Sequence, residues 1–255
     1  MTKRIAFHIH SDWSYDGHWT LTALASFFER RGYDGMLVTD HDRGFTEERR
    51  LSHRCACAAA SSSSFAVIPG IEYSDSQNCI HLLTCGDVPF QGENQPPLTV
   101  LKAVKKFGGA AVLAHPTRNE AWKHYSPDWT PLLSGIELWN RKTDGWAPSR
   151  EANWLIEQTS QRPFFGLDFH RINQAFPLAM QIEIDAPRLD EAAVSHAIRT
   201  GAVSAQAFGQ PSTSLFGRGR MHCLRAAEVT RRFATRTIRR CRSLVIFRRS
   251  AQRLQ

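Results

Sequence analysis

Short apolar runs alternate with stretches of helical periodicity along the first 208 residues of the chain. Apolar runs between polar or glycine-containing segments predict strands, and apolar residues at helical spacing predict amphipathic helices. This alternation is typical of βα units and of a mainly parallel sheet. The predicted strands are 4–10, 35–39, 65–73, 79–85, 110–114, 135–139, 164–169, 180–184 and 202–205. The predicted helices are 20–31, 46–60, 98–107, 149–158 and 189–199.

The composition changes near Gly209. Residues 209–255 contain twelve arginines, no lysine and a single acidic residue, Glu228, whereas the first 208 residues carry 20 basic and 23 acidic side chains. The formal net charge of +8 therefore comes from the tail, and the globular part is mildly acidic. The overall charge is thus no argument for a nucleic-acid-binding surface on the globular part. We expect one domain over 1–208, followed by an arginine-rich tail over 209–255.

Three interpretations of this tail stay open: a nucleic-acid-binding arm, a disordered solvated segment, and sequence that is not the native C-terminus. A basic set made of arginine alone is unusual for an evolved binding arm, since the globular part contains 6 lysines. Arginine has several GC-rich codons, so a GC-rich gene translated out of frame would produce such a set. We favour this explanation, which predicts a poorly packed C-terminus.

Other features of the sequence limit the class of protein. No segment approaches the roughly 18 consecutive apolar residues of a membrane span, and the N-terminus leads into a predicted strand without a signal-peptide pattern. The six cysteines have no framework spacing, so we expect free thiols in a reducing compartment. A cytoplasmic protein without a membrane partner is the expectation.

The most informative segment is Phe7-His8-Ile9-His10, with Asp16 six residues after the second histidine. Side chains two positions apart on a strand point to the same face, so His8 and His10 can bind one ion together. Asp16 follows in the loop beyond the strand end, where barrel enzymes place their active sites. This segment alone indicates a metal site.

Metal-competent side chains recur at the ends of the later strands. A single such histidine is more often structural. Six histidines and several carboxylates at successive strand ends, however, would repel one another or lose hydration unless cations compensated them. The pattern therefore predicts a polynuclear metal site. Its later members are Asp40, His41, Asp42, Glu72, His81, His115, Asp168 and His170.

In these motifs and their order, the chain resembles the PHP (polymerase and histidinol phosphatase) family of metal-dependent phosphoesterases. The resemblance covers about residues 4–206. It implies a distorted (β/α)7 barrel with up to three metal ions at the C-terminal ends of its strands. It rests on the His-x-His start with Ser14-x-Asp16-Gly17, and on Thr39-Asp40-His41, Gly70-Ile71-Glu72, Ala114-His115-Pro116 and Asp168-x-His170.

The resemblance also implies how nine ligands divide among three ions. Every expected position carries a capable ligand, which argues against an inactive member. Many relatives have a histidine at the position of Asp16, and this difference affects which metal the third position prefers. The implied sets are His8, His10, Glu72 and Asp168 for a first ion, the bridging Glu72 with His81 and His115 for a second, and Asp16, His41 and His170 for the third.

Imidazole and carboxylate ligands without thiolate suit Zn²⁺, Mn²⁺ or Fe²⁺. In the implied mechanism, Glu72 and Asp168 hold ions that activate water for in-line attack on phosphorus. Asp40 has several open roles: orienting His41 or another ligand, protonating the leaving group, or serving in a turn or helix cap. Cations that can clamp phosphate, or that equally can be solvated surface residues, are Arg118, Arg141, Lys142 and Arg171.

We expect an enzyme that hydrolyses the phosphate ester of a small molecule, such as a nucleotide, sugar or amino-alcohol phosphate. A nuclease that trims oligonucleotides and a non-catalytic metal-binding PHP module are the alternatives. The mildly acidic globular part offers no obvious groove for a long polyanion, and the complete ligand set argues against lost activity. Nucleic acid is therefore a possible but not a favoured partner, and the oligomeric state stays open.

Overall fold

The computed structural model describes residues 1–185, 188–215 and 218–251 and shows a mixed α/β fold on one ten-stranded sheet. The strands in this part of the chain are β1 (Thr2–Ile9), β2 (Gly35–His41), β3 (Ala66–Ser74), β4 (His81–Cys85), β5 (Ala110–Leu113), β6 (Gly135–Asn140), β7 (Pro163–Gly166), β8 (Leu178–Glu183), β9 (Val203–Ala207) and β10 (Gln210–Pro211). The α-helices described are α1 (Leu21–Glu29), α2 (Glu47–Ala60), α3 (Pro97–Lys106), α4 (Arg141–Asp144), α5 (Arg150–Thr159), α6 (Glu191–Thr200), α7 (Ser212–Leu215) and α8 (Arg218–Ala251). Short 3-10 helices cover Arg118–His124, Pro127–Trp129 and Ile172–Gln174.

The sheet is mixed rather than mainly parallel, which corrects the expectation from the sequence. Its strand order is β10-β9-β8-β1-β2-β3-β4-β5-β6-β7. Strands β1 to β3 are parallel, as are β5 to β7, but β4 is antiparallel to both of its neighbours. Residues 75–80 between β3 and β4 are too few for a crossover connection, which needs about a dozen residues, so this pair forms a hairpin.

The sheet curls so far that the segment after β7 meets β1. The backbone N–H of Leu167 donates to the carbonyl of Phe7 at 2.9 Å, and that of Phe169 donates to the carbonyl of His8 at 3.1 Å. The N–H of His10 returns a bond to the carbonyl of Phe169 at 3.0 Å. Strands β1 to β7 thus follow one another in chain order around the curl, and β8 to β10 extend the sheet from the first half of β1.

Side-chain caps determine where several helices begin. Thr20, Thr46, Ser149 and Asp190 each accept a hydrogen bond from the backbone N–H three residues later. Each bond satisfies a donor that the first helical turn leaves unpaired. The helices therefore begin within two residues of the positions predicted from the sequence.

An aromatic cluster anchors the segment that follows β7. Phe169 is fully buried, and its ring centroid lies 5.4 Å from that of Phe27 and 5.3 Å from that of Phe28, both on α1. Aromatic pairs at these separations stabilise a core beyond their buried area. The cluster therefore fixes the backbone on which Asp168 and His170 are mounted.

The C-terminal tail is helical where it is described. β10 pairs with β9, α7 follows it, and α8 continues over Arg218–Ala251. Met221 and Glu228 of α8 are buried, so the first part of this helix packs against the rest of the protein. Residues 216–217 and 252–255 of the predicted 209–255 tail lie outside the described residues. Within the described chain, no helix is both long and apolar enough to cross a bilayer.

Replacing Phe169 with Ala should lower the free energy of unfolding by about 3–5 kcal/mol, because the change leaves a cavity between α1 and the sheet. Chemical denaturation of the purified variant measures this loss. Phe107→Ala is the control, since that ring is 47% exposed. Equal stabilities of the two variants would contradict the anchoring role of Phe169.

Candidate metal centre

All nine predicted ligands meet at one edge of the sheet. They come from the ends of β1, β2 and β3, from the start of β4, and from the segments that follow β1, β5 and β7. Eight of them are buried, and Asp16 is partly exposed. The structure brings together His8, His10, Asp16, His41, Glu72, His81, His115, Asp168 and His170.

Glu72 lies at the centre of this cluster. Its Oε1 is 2.7 Å from Nδ1 of His81 and 2.9 Å from Nε2 of His115. Its Oε2 is 3.2 Å from Nε2 of both His8 and His10. One buried carboxylate thus faces imidazoles through both of its oxygens, an arrangement suited to bridging two cations.

Asp168 is the second buried carboxylate of the cluster. Its Oδ1 lies 3.5 Å from Nε2 of His10, 3.8 Å from Nε2 of His8 and 3.3 Å from Nδ1 of His170. The two histidines of β1 therefore lie between Asp168 on one side and Glu72 on the other.

Asp16 closes the outer side of the cluster. Its Oδ2 is 2.9 Å from Nε2 of His170 and 3.5 Å from Nε2 of His41. The His170 ring also stacks on His10 with centroids 4.1 Å apart. Because the Asp16 side chain is 30% exposed, solvent and small molecules reach the cluster from this side.

The ligand residues adopt an uncommon backbone conformation at three places. His8, His115 and Asp168 have positive φ angles of 66°, 23° and 49°. Such conformations cost on the order of 1–3 kcal/mol each and persist where the surrounding structure enforces them. In β1 the register shifts between Ala6 and Ile9, so an irregularity, not plain strand alternation, brings the two histidines of this strand into one site.

Charge in the cluster is balanced between carboxylates and imidazoles. Burial alone would raise the pKa of Glu72 and of Asp168, but the surrounding histidines hold both pKa values well below the usual range. Burial alone would lower the pKa of His8, yet three neighbouring carboxylates, Glu137 first, raise it well above its usual value. Protons and metal ions would therefore compete for the same donor atoms.

The donor set fits divalent metal ions. Oδ1 of Asp16 and Nδ1 of His115 are buried and have no hydrogen-bond partner among the described residues. The cluster offers imidazole nitrogens and carboxylate oxygens, the ligands expected for Zn²⁺, Mn²⁺ or Fe²⁺. Four groups whose donor atoms lie within 4.8 Å of one another can hold an ion: His10–Asp16–His41–His170, His8–Glu72–His115, His8–His10–Asp168 and His41–Glu72–His81.

These groups differ in detail from the sets that the resemblance implies. His8, rather than His81, groups with Glu72 and His115. His10 joins the set implied for the third ion. Several donors are shared between groups, and the assignment of each ligand to an ion stays a prediction.

Glu137 on β6 is a buried member of the site that the sequence analysis did not identify. Its Oε1 lies 2.9 Å from Nδ1 of His8, and its Oε2 accepts bonds from the backbone N–H of His115 at 2.8 Å and from Nδ2 of Asn140 at 2.9 Å. Because a carboxylate only accepts, Nδ1 of His8 carries the proton and Nε2 faces the cluster. A Cβ on Gly166 would lie 1.7 Å from Oε1, so the neighbouring strand leaves room for this carboxylate.

Asp40 lies behind the cluster. Its two oxygens accept bonds from the backbone N–H and the hydroxyl of Ser11 at 2.7 and 2.6 Å, and Oδ2 is 3.1 Å from Nε2 of His53. Burial alone would raise the pKa of Asp40, but His53 and Ser11 hold it below its usual value. Of the roles left open by the sequence, these contacts match the turn role, because both oxygens bind Ser11 in the loop after His10.

Two of the four predicted substrate cations lie beside the cluster. Nζ of Lys142 is 3.1 Å from Oδ1 of Asp168, and its side chain is 41% exposed. Nη1 of Arg118 is 2.9 Å from Nε2 of His81. Both cations can therefore reach an anion bound at the cluster.

The other two cations have different surroundings. Arg141 donates to the carbonyl of Asn173 at 3.2 Å, and its guanidinium lies 5.1 Å from the ring centroid of Phe176. Arg171 is exposed, and its backbone N–H donates to Oε1 of Gln174 at 2.6 Å. The Arg141 side chain is therefore held at Asn173 and Phe176 rather than at the cluster.

No protein-family model and no curated protein sequence matches the chain. Among solved structures, the chain is similar to PsfC from Pseudomonas syringae PB-5123, with a TM-score of 0.59 and 14% identity over 92% of this chain and 99% of that chain. At this identity, the likeness shows a shared fold alone.

Two further structures are more distant. They are a putative metal-dependent phosphoesterase from Bifidobacterium adolescentis ATCC 15703 (15% identity, 76% of this chain, 95% of that chain, TM-score 0.48) and an amidohydrolase from Chromobacterium violaceum with bound sulfate and no metal (14% identity, 65% of this chain, 87% of that chain, TM-score 0.46). These scores are too low to carry an argument about fold or activity.

Replacing Glu72 with Gln should abolish metal loading, because a neutral amide cannot bridge two cations. Elemental analysis after incubation with Mn²⁺ or Zn²⁺ and desalting measures the bound metal. Glu48→Gln, at an exposed position of α2, is the matched control. Wild-type metal content in the Glu72→Gln protein would refute the central place of this carboxylate.

Replacing Glu137 with Gln should weaken metal binding by about 10- to 100-fold, because His8 loses the partner that fixes its ring. Competition with a coloured chelator measures the affinity. Gly166→Ala displaces the same carboxylate from the other side and should act in the same direction. An affinity equal to that of Glu183→Gln, an exposed control on β8, would exclude the orienting role.

Proposed function

We propose that this chain is a metal-dependent hydrolase that cleaves the phosphate ester of a small molecule, and that it belongs to the PHP family. The observation that carries the proposal is the buried cluster of nine nitrogen- and oxygen-donor side chains around Glu72. The chain-order arrangement of β1 to β7 around the curl supports the distorted (β/α)7 barrel that membership implies.

Divalent ions, up to three of Zn²⁺, Mn²⁺ or Fe²⁺, would bind among these donors. Glu72 would be shared between ions because both of its oxygens face imidazoles. Asp168 would hold a further coordination position beside His8 and His10, and Asp16 would serve the exposed side. Bound there, the ions supply the positive charge that activates water and stabilises negative charge on phosphoryl oxygens.

The chain's own cations would hold the phosphate against this centre. Lys142 lies on the Asp168 side and Arg118 on the His81 side, so each would meet an anion bound on its own side of the centre. Charge-assisted bonds from lysine and arginine are strong interactions with phosphate oxygens. A phosphate monoester presents three free oxygens to such a site, which favours a monoester over a diester.

The open side of the site has an aromatic wall. The Tyr15 ring stacks on His41 with centroids 5.2 Å apart, and the Arg43 guanidinium lies 5.1 Å from the Tyr15 ring centroid. Tyr15 is exposed, so the organic part of a substrate can pack against it. The globular part carries more acidic than basic side chains, which supports a small substrate over a long nucleic acid.

A screen of the Mn²⁺- or Zn²⁺-loaded protein should show release of inorganic phosphate from nucleotide, sugar or amino-alcohol monophosphates. The activity should disappear on chelation and return when metal is added back. Histidinol phosphate and short oligonucleotides belong in the same screen. Trimming of oligonucleotides without monoester hydrolysis would indicate a nuclease, and bound metal without any hydrolysis would indicate a non-catalytic module.

A further inference from the structure

Glu228 is the only acidic residue after position 208, and it contacts the globular part from α8. It is 6% exposed, and its Oε2 accepts a bond from the backbone N–H of Trp146 at 2.9 Å. Burial alone would raise the pKa of Glu228, but Arg231, Arg232 and the Trp146 N–H lower it to about 2. The carboxylate is therefore charged at neutral pH and fully partnered.

The globular part leaves room for the Glu228 carboxylate at Gly145, which has no side chain. Gly145 has φ 84° and ψ −128°, and a Cβ built on it would lie 2.3 Å from Oε1 of Glu228. Both the backbone conformation and the approach of the carboxylate therefore require glycine. Arg232 adds a bond from its guanidinium to the carbonyl of Asp144 at 3.0 Å. Three consecutive residues, 144 to 146, are thus held by α8.

Residues 144–146 begin with the last residue of α4, the short helix that carries Lys142. Asn140 precedes α4 and caps it, because its side chain accepts from the N–H of Thr143 at 2.9 Å. The Asp144 side chain accepts from the N–H of Asn140 at 2.8 Å and from the hydroxyl of Thr117 at 2.7 Å. The two ends of α4 are therefore tied to each other and to the segment after β5.

We propose that α8, through Glu228, is a positioning element for Lys142. By fixing residues 144–146 it fixes α4, and α4 in turn holds the Lys142 ammonium 3.1 Å from Asp168, where it meets a bound phosphate. The inference rests on the proposed function for the role of Lys142. Glu228 touches no reacting atom, so it is a positioning residue and not a catalytic one.

The contact between Glu228 and Gly145 is also evidence about the origin of the tail. A segment translated out of frame has no reason to place its single carboxylate against the one glycine of the α4–α5 connection. The match between Gly145 and Glu228 supports a tail whose first part belongs to the fold.

The test uses the full-length, metal-loaded chain and inorganic phosphate as the probe. Glu228→Gln should weaken phosphate binding by roughly 10-fold, measured by calorimetry, and raise KM for a hydrolysed monoester with little change in kcat or metal content. Val229→Ala, at the exposed next position of α8, should leave binding unchanged. Arg232→Ala, which removes the bond to the Asp144 carbonyl and the ion pair with Glu228, should act in the same direction and covers the case in which Glu228→Gln does not fold.

A double-mutant cycle separates positioning from general destabilisation. If Glu228 acts through Lys142, adding Glu228→Gln to Lys142→Ala should weaken phosphate binding no further. Additive losses, unchanged phosphate affinity in Glu228→Gln, or no phosphate binding by the metal-loaded wild type would each overturn the proposal. A protein that hydrolyses no ester, yet shows the non-additive loss of phosphate binding, would retain the positioning role and refute the hydrolase.

Discussion

Five imidazoles lie within 3.3 Å of one buried carboxylate, that of Glu72, and the rest of the structure accommodates this concentration of polar groups. Burying charged groups is costly unless partners or cations compensate them. Without metal, the neighbouring carboxylates favour the protonated form of His8, because they raise its pKa well above the usual value. A divalent ion bound among these donors would compete with that proton, which makes the cluster a candidate metal site.

The surrounding structure fixes the positions of the donor side chains. Three ligand residues keep positive φ angles, which requires firm support from packed neighbours. Phe169 supplies that support between two of the ligands, and Glu137 fixes the ring of His8 while bonding the backbone of His115. Core packing and site geometry are therefore coupled, because the residues that anchor the backbone adjoin the candidate metal ligands.

Much of the fold and the donor set follows from the sequence, because hydrophobic periodicity is local and strand ends of one sheet meet at one edge. The antiparallel β4 could not be predicted from periodicity, which is the same for either strand direction. Glu137 lies inside an otherwise apolar strand, and a carboxylate at such a position was the signal in the sequence that could have identified it. Arg141 and Lys142 are adjacent, and only the orientation of α4 decides that Lys142 faces Asp168. The contact between Glu228 and residue 145 depends on tertiary packing, which composition alone does not reveal.

Crystals of the protein grown with Mn²⁺ and measured near the manganese edge test the central claim most directly. The account predicts anomalous density on both sides of the Glu72 carboxylate, with its oxygens and the imidazole nitrogens as metal ligands. Density restricted to the protein surface, with the Glu72 oxygens bonded only to histidine N–H groups at saturating metal, would contradict it.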